Sequence, residues 1–238
     1  MTIMPLQFFG LGDVIFCQTL VNTIANSYGS DTRIVWGVWD NFLDQLNRAY
    51  PNIEFVPYKS LGIDFNRKDD YEFMHAKYGR CRVLPLRWAD GILNVHYNSC
   101  MRAKYDLYGL DFETWRDNAM WQRNEWKEIG FHASKVPKGD YALVNLTFGS
   151  DAKGMIKIPH PKISTIVMDI VKGYSLFDWS MIIENATEIH TVNTSIIYLL
   201  EMLDLRAKEV HLYQRTVAGQ TFDNIRYVLK RHKYVFHG

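Results

Sequence analysis

The stretch Pro5-Leu-Gln-Phe-Phe-Gly10-Leu-Gly12-Asp13-Val-Ile15 reads as a short apolar run that stops at a glycine pair. Apolar residues then recur at helical spacing from Val14 to Tyr28 and end at Gly29. That order is strand, glycine turn, helix. A second apolar strand follows at Arg33–Val38, then a helix from Asn41 to Tyr50 closed by Pro51, then a strand at Ile53–Val56. Alternating β and α segments with short connections call for a parallel sheet with right-handed crossovers.

Beyond Lys59 the pattern gives way to turn residues and charges, with Asn66–Asp70 solvated and one strand near Arg82–Leu86. Helical spacing returns at Asn98–Tyr105 and again at Phe112–Ile129, where Trp115, Trp121 and Trp126 read as packing residues because an indole buries large apolar area. Pro137-Lys138-Gly139 makes a linker, which divides the chain into domains 1–136 and 137–238. The second domain reads as strands at Tyr141–Thr147, Met155–Ile158, Ile166–Val171, Glu188–Val192, Glu209–Tyr213 and Tyr234–Phe236. Helices are expected at Phe177–Ala186, Thr194–Leu203 and Thr221–Arg231. The expected fold class is therefore α/β, two Rossmann-like domains whose parallel sheets face a cleft.

Composition narrows the partners. Of 238 residues 47% are hydrophobic and 22% charged, which excludes disordered, collagen-like and coiled-coil chains. Lys plus Arg number 27 against 26 Asp plus Glu, so no global positive field draws the chain to nucleic acid. Cys17, Cys81 and Cys100 are far apart and odd in number, which argues against a disulfide framework and for a reducing, cytoplasmic setting. The N-terminus lacks the pattern of a signal peptide, and no run approaches the roughly 20 apolar residues of a bilayer span. A lipid-linked substrate would be met from the membrane surface. The eight histidines show no metal-ligand spacing, so no metal is expected. Nucleophile-elbow and P-loop motifs are absent from the sequence, which removes the simplest hydrolase and phosphotransferase readings.

Two helix starts could carry chemistry. Gly10 and Gly12 permit close backbone approach to a ligand, and Asp13 follows them at a helix N-terminus. The alternative is an ordinary acidic helix start. After the strand 188–192, Asn193-Thr194-Ser195 offers hydroxyls and free backbone N–H groups suited to a diphosphate; the alternative there is an ordinary N-cap.

Phe9-Gly-Leu-Gly-Asp-Val-Ile15 and its helix resemble the N-terminal signature of the heptosyltransferase-like glycosyltransferases of the GT-B fold. The stretch Phe177–Leu200 is similar to their donor-binding region. The resemblance implies that Asp13 is the general base toward an acceptor hydroxyl, with Gly10 and Gly12 lining the substrate side. It implies that Asn193, Thr194 and Ser195 meet the donor phosphates and that Glu184 meets the ribose, though Glu184 could equally be an exposed helix carboxylate. Thr147 and Lys157 fall where related enzymes place a hydroxyl and a cation on those phosphates; Lys153 is a rival for the second role. The first domain would then be the acceptor side and the second the nucleotide-sugar donor side. On this resemblance the expected activity moves a sugar from a nucleotide-diphosphate sugar to a glycan or lipid-linked hydroxyl, without metal and with no cofactor beyond that co-substrate. A non-catalytic nucleotide- or sugar-binding module and a structural or assembly protein are the alternatives.

Overall fold

The computed structural model describes residues 1–63, 71–95, 100–146, 158, 160–214 and 222–238. The chain divides into two compact units, Met1–Gln122 and Arg123–Gly238.

The first unit runs β1 (Thr2–Pro5), α1 (Leu11–Phe16), α2 (Gln18–Ser27), β2 (Arg33–Val38), α3 (Leu43–Ala49), β3 (Glu54–Pro57), β4 (Tyr71–Ala76), β5 (Gly79–Leu84), α4 (Ala89–Ile92) and α5 (Cys100–Asp106). The sheet order is β3-β2-β1-β5-β4. Every pair is parallel except the β4–β5 hairpin. All of β1 is buried, as the apolar run of a strand covered on both faces requires. From β1 the chain winds outward through β2 and β3, then returns to the other side of β1 as β5. The strand order thus reverses beside β1, and open α/β sheets take ligands at the carboxyl ends of such a reversal.

Three expectations shift in this unit. The first strand lies at Thr2–Pro5 rather than Pro5–Phe9, because pairing Thr2 with Arg33 and Pro5 with Leu84 sets its register. Leu6–Phe9 continue as a loop at the sheet's carboxyl edge. The helix expected over Val14–Tyr28 is two helices that part at Cys17. The helix expected over Phe112–Ile129 is not continuous: a 3-10 turn at Phe112–Arg116 is followed by irregular chain, and α6 (Glu125–Lys135) starts afresh. Side-chain caps explain the break, since Asp111 accepts from Glu113 N–H at 3.0 Å and Asn124 accepts from Lys127 N–H at 3.1 Å, each opening its own segment. Trp115 and Trp121 are buried as packing residues, whereas Trp126 is 86% exposed.

The second unit contains α6, β6 (Tyr141–Asn145), β7 (Ser164–Val167), α7 (Ser180–Asn185), β8 (Glu188–Val192), α8 (Ile196–Leu200), β9 (Val210–Tyr213) and β10 (Tyr234–His237). Its sheet, β10-β9-β8-β6-β7, is parallel throughout. Here the order reverses between β6 and β8. The division falls ahead of α6 rather than at Pro137. Phe131 of that helix stacks on Tyr174 and meets Trp179, with ring centroids 4.0 and 4.9 Å away, and Arg123 pairs with Glu128 and Glu184. The strand expected at Met155–Ile158 lies, apart from Ile158, outside the described residues. Where a helix was expected at Thr221–Arg231, the described residues form a 3-10 turn at Phe222–Asn224 and further turns. Glu201, fully buried, accepts from the N–H groups of Lys230 and Arg231 and from the Tyr234 hydroxyl, which fastens that segment without a helix.

Candidate functional site

In the first unit the glycine turn delivers Asp13 to the first turn of α1, and Gly10 takes a backbone φ of 75° that favours glycine. The Asp13 carboxylate does not cap its helix. Its Oδ1 accepts from Lys104 Nζ at 2.5 Å, and the same ammonium donates to Gln7 Oε1 at 2.8 Å. Gln7 is held in turn by donating to the Phe9 carbonyl at 2.7 Å. The Lys104 side chain is 5% exposed and that of Asp13 35%. Burial works against the lysine charge, and the Asp13 carboxylate outweighs it, holding the ammonium above the usual lysine range. Burial pushes the neighbouring Cys17 thiol up to about 12 and raises that of Cys100, so both stay protonated and neutral. The result is a carboxylate with one oxygen clamped and the other beside Gly10, placed where the strand order reverses. Such a group can accept a proton from a hydroxyl.

Gly10 flanks this carboxylate, since a Cβ built on it would stand 2.4 Å from Asp13 Oδ2, while Gly12 is a buried residue of α1. Lys104 was missing from the sequence reading. Its signal was a lysine three residues after Met101 and next to Tyr105, on the stripe of α5 that is buried.

In the second unit Asn145 ends β6 and donates to Thr191 Oγ1 and to Thr194 Oγ1, both at 3.0 Å. Asn145 and Thr191 are buried, whereas Asn193, Thr194 and Ser195 are half-buried between β8 and α8. The amide therefore orients the Thr194 hydroxyl at the reversal between β6 and β8. Glu184 is engaged elsewhere in this unit: its two oxygens accept from Arg123 at 2.7 and 2.8 Å. Thr147, Lys153 and Lys157 lie outside the described residues. Asn145 was also missed, although a lone amide closing the buried run Tyr141–Val144 was a readable signal. Among the described residues no three His, Cys, Asp or Glu side chains are grouped to hold a metal ion.

No family model matches the chain, and no curated protein matches it in sequence. Solved structures match it in fold. The E. coli heptosyltransferase WaaC with ADP aligns at a TM-score of 0.50 and 12% identity, over 100% of this chain and 94% of that one. The fold is that of the GT-B glycosyltransferases. The glycosyl transferase family 9 protein from Veillonella parvula DSM 2008 aligns at 0.49 and 9% identity, over 99% of this chain and 86% of that one. The iron-containing dodecameric glycosyltransferase TibC from enterotoxigenic E. coli H10407 aligns at 0.48 and 12% identity, over 90% of this chain and 57% of that one. At 12% identity the GT-B likeness to WaaC concerns backbone topology, and the side chains at the strand ends are this chain's own. No helix among the described residues is long and apolar enough to cross a membrane.

Proposed function

We propose that the protein is a glycosyltransferase that moves a sugar from a nucleotide-diphosphate sugar to a hydroxyl of a glycan or lipid-linked acceptor. One observation carries the reading. In a chain of GT-B fold, the carboxyl edge at each sheet's reversal bears the chemistry one half-reaction needs: the clamped Asp13 carboxylate in one unit, the Asn145-oriented Thr194 hydroxyl in the other. The acceptor oxygen attacks the anomeric carbon while Asp13 takes its proton. The bond from that carbon to the donor diphosphate breaks, and Asn193, Thr194 and Ser195 hold the departing oxygens without a metal. Glu184 retains lone pairs for ribose hydroxyls beyond those given to Arg123, and Thr147 and Lys157 complete the phosphate contacts. On this reading the reaction runs in the cytoplasm, with lipid-linked acceptors met at the membrane surface. ADP in the matching WaaC structure supports a nucleoside diphosphate as leaving group.

The test is calorimetric titration with ADP, UDP and GDP, followed by transfer assays with the matching sugar nucleotides in EDTA. A bound nucleotide at about 100 times its dissociation constant adds about 2.7 kcal/mol of stability. Binding of one nucleotide and metal-free transfer is the expected result. Binding without transfer from any donor leaves a non-catalytic module, and no binding of any nucleotide overturns the donor site.

A further inference from the structure

Four neighbouring strands of the first sheet each end in a ring or a cation at the same carboxyl edge. Tyr58 directly follows β3, Trp39 directly follows β2, Phe9 closes the loop after β1, and Arg87 stands three residues beyond β5. The rings touch: Phe9 meets Trp39 edge-on with centroids 4.6 Å apart, and Phe8 beneath them stacks on Tyr58 at 4.9 Å. Trp39 is 41% exposed, Phe9 and Tyr58 are half-buried, and Arg87 is exposed. Local sequence makes room for this arrangement. Gly37 in β2 leaves the space where a Cβ would come within 2.8 Å of the Tyr58 backbone.

The Arg87 guanidinium carbon lies 4.3 Å from the Phe9 ring centroid and 4.9 Å from that of Phe8. Rings hold it in place by cation–π attraction. No carboxylate among the described residues pairs with it, so its fork of donors remains available to an anion, which guanidinium binds in two-pronged fashion. An exposed indole beside such a cation fits a ring with an apolar face and a negative substituent. Asp13 follows Phe9 by four positions, on the same loop and helix start.

We propose that Trp39, Phe9, Tyr58 and Arg87 form a recognition platform for a sugar ring that carries an anionic group, the sugar face packing on the aromatic side chains and the anion pairing with Arg87. The proposal rests on the glycosyltransferase reading of Asp13 and names the acceptor class for that site. The anion is a carboxylate or a phosphate, since both match the guanidinium fork.

The experiment is calorimetric titration of the full chain, without nucleotide, with three glucose tetrasaccharides: neutral, with a terminal glucuronate, and with a terminal 6-phosphate. At least one charged probe should bind tighter than the neutral one by about 10- to 100-fold, as charged hydrogen bonds allow. Whichever charged probe leads identifies the anion. Arg87→Gln should erase that preference, and Trp39→Ala should weaken all three probes by about threefold to tenfold. Trp126→Ala, which removes an exposed indole of the other unit, should change nothing. The proposal is overturned if no probe binds, if the neutral probe binds as well as the charged ones, or if the preference survives Arg87→Gln in a variant whose circular dichroism is native. Because nucleotide is left out, failure here is separable from failure of the donor site.

Discussion

Lys104 holds Asp13 at 2.5 Å from 91 residues further along the chain, and the two ends of this pair sit in different surroundings, the ammonium 5% exposed and the carboxylate 35%. The asymmetry decides what each substitution does. Removing the carboxylate strands a buried cation, whereas removing the cation leaves a carboxylate that water can reach.

Asp13→Asn should therefore cost more stability than Lys104→Met. Breaking a buried pair costs about 3–5 kcal/mol; because solvent screens Asp13, the expected loss is nearer 1–3 kcal/mol. The double variant should be more stable than Asp13→Asn alone. Since the folded-state pKa of Lys104 is raised, its contribution is complete below the unfolded lysine value near 10.4 and is lost only as pH climbs toward the folded one. Urea denaturation from pH 6 to 11 reads all of this, and equal, additive losses would refute it.

Turnover separates base from structural partner. Asp13→Asn should lower the transfer rate by about 10²–10⁴-fold and leave nucleotide affinity unchanged. Gly10→Ala should also lower it, because a Cβ there meets Asp13 Oδ2 at 2.4 Å. Gly139→Ala is the control: it has the same kind of positive φ, 94°, but open space around it, so it should cost backbone strain alone, about 1–3 kcal/mol or less, with no effect on rate. Wild-type turnover in Asp13→Asn would leave the Lys104 pair purely structural.

At the donor side Thr194→Val removes one hydroxyl at nearly constant shape and should weaken nucleoside diphosphate binding with little change in melting. Asn145→Ala removes the donor to the Thr194 hydroxyl and one of two bonds of the Thr191 hydroxyl, which still donates to the Val192 carbonyl, and should cost about 1–3 kcal/mol as well as affinity. Paired calorimetry and thermal melts check both. Unaltered affinity in Thr194→Val would remove that residue from the site.

The second sheet carries an acid-sensitive stack. His190 lies on His211 with centroids 4.7 Å apart, and His211 Nδ1 is 3.0 Å from His237 Nε2. The Tyr213 hydroxyl meets His190, Glu188 and Glu209 stand 3.5 Å from His190 and His211, and Lys233 pairs with Glu209. Burial, then the neighbouring His211, holds His190 and His237 below the usual histidine range. Their depressed folded pKa values make this contribution present above about 6.5 and lost as pH falls through the folded values. Stability should therefore decline below about pH 6.5, and His211→Gln should flatten the decline. Identical slopes in wild type and variant would sink this account.

Period and punctuation carried most of the fold. The runs Arg33–Val38 and Glu188–Val192 are strands because a strand covered on both faces favours apolar and β-branched residues, the buried His190 being an exception, and such runs stand out against Gly, Pro and Asn breaks. Boundaries were less legible. The strand Thr2–Pro5 shows its register only once it is paired with β2 and β5, and the segment 112–129 satisfies helical spacing although Asn124 opens a new helix inside it.

Local chemistry was equally readable where chain neighbours supply it, as in the glycine turn that delivers Asp13 and the hydroxyl-bearing turn after β8. Lys104 and Asn145 show in the sequence only as polar residues within buried runs, without their partners, and the gathering of Tyr58, Trp39, Phe9 and Arg87 has no signature there, because those partners lie on other strands and helices. A lysine becomes Asp13's clamp only when α5 buries it beside Gln7. Strand ends far apart in sequence become neighbours only when the order β3-β2-β1-β5 sets them side by side. Spacing along the chain specifies faces and turns, and the meeting of groups across elements is specified by burial and pairing, which exist only in the folded molecule.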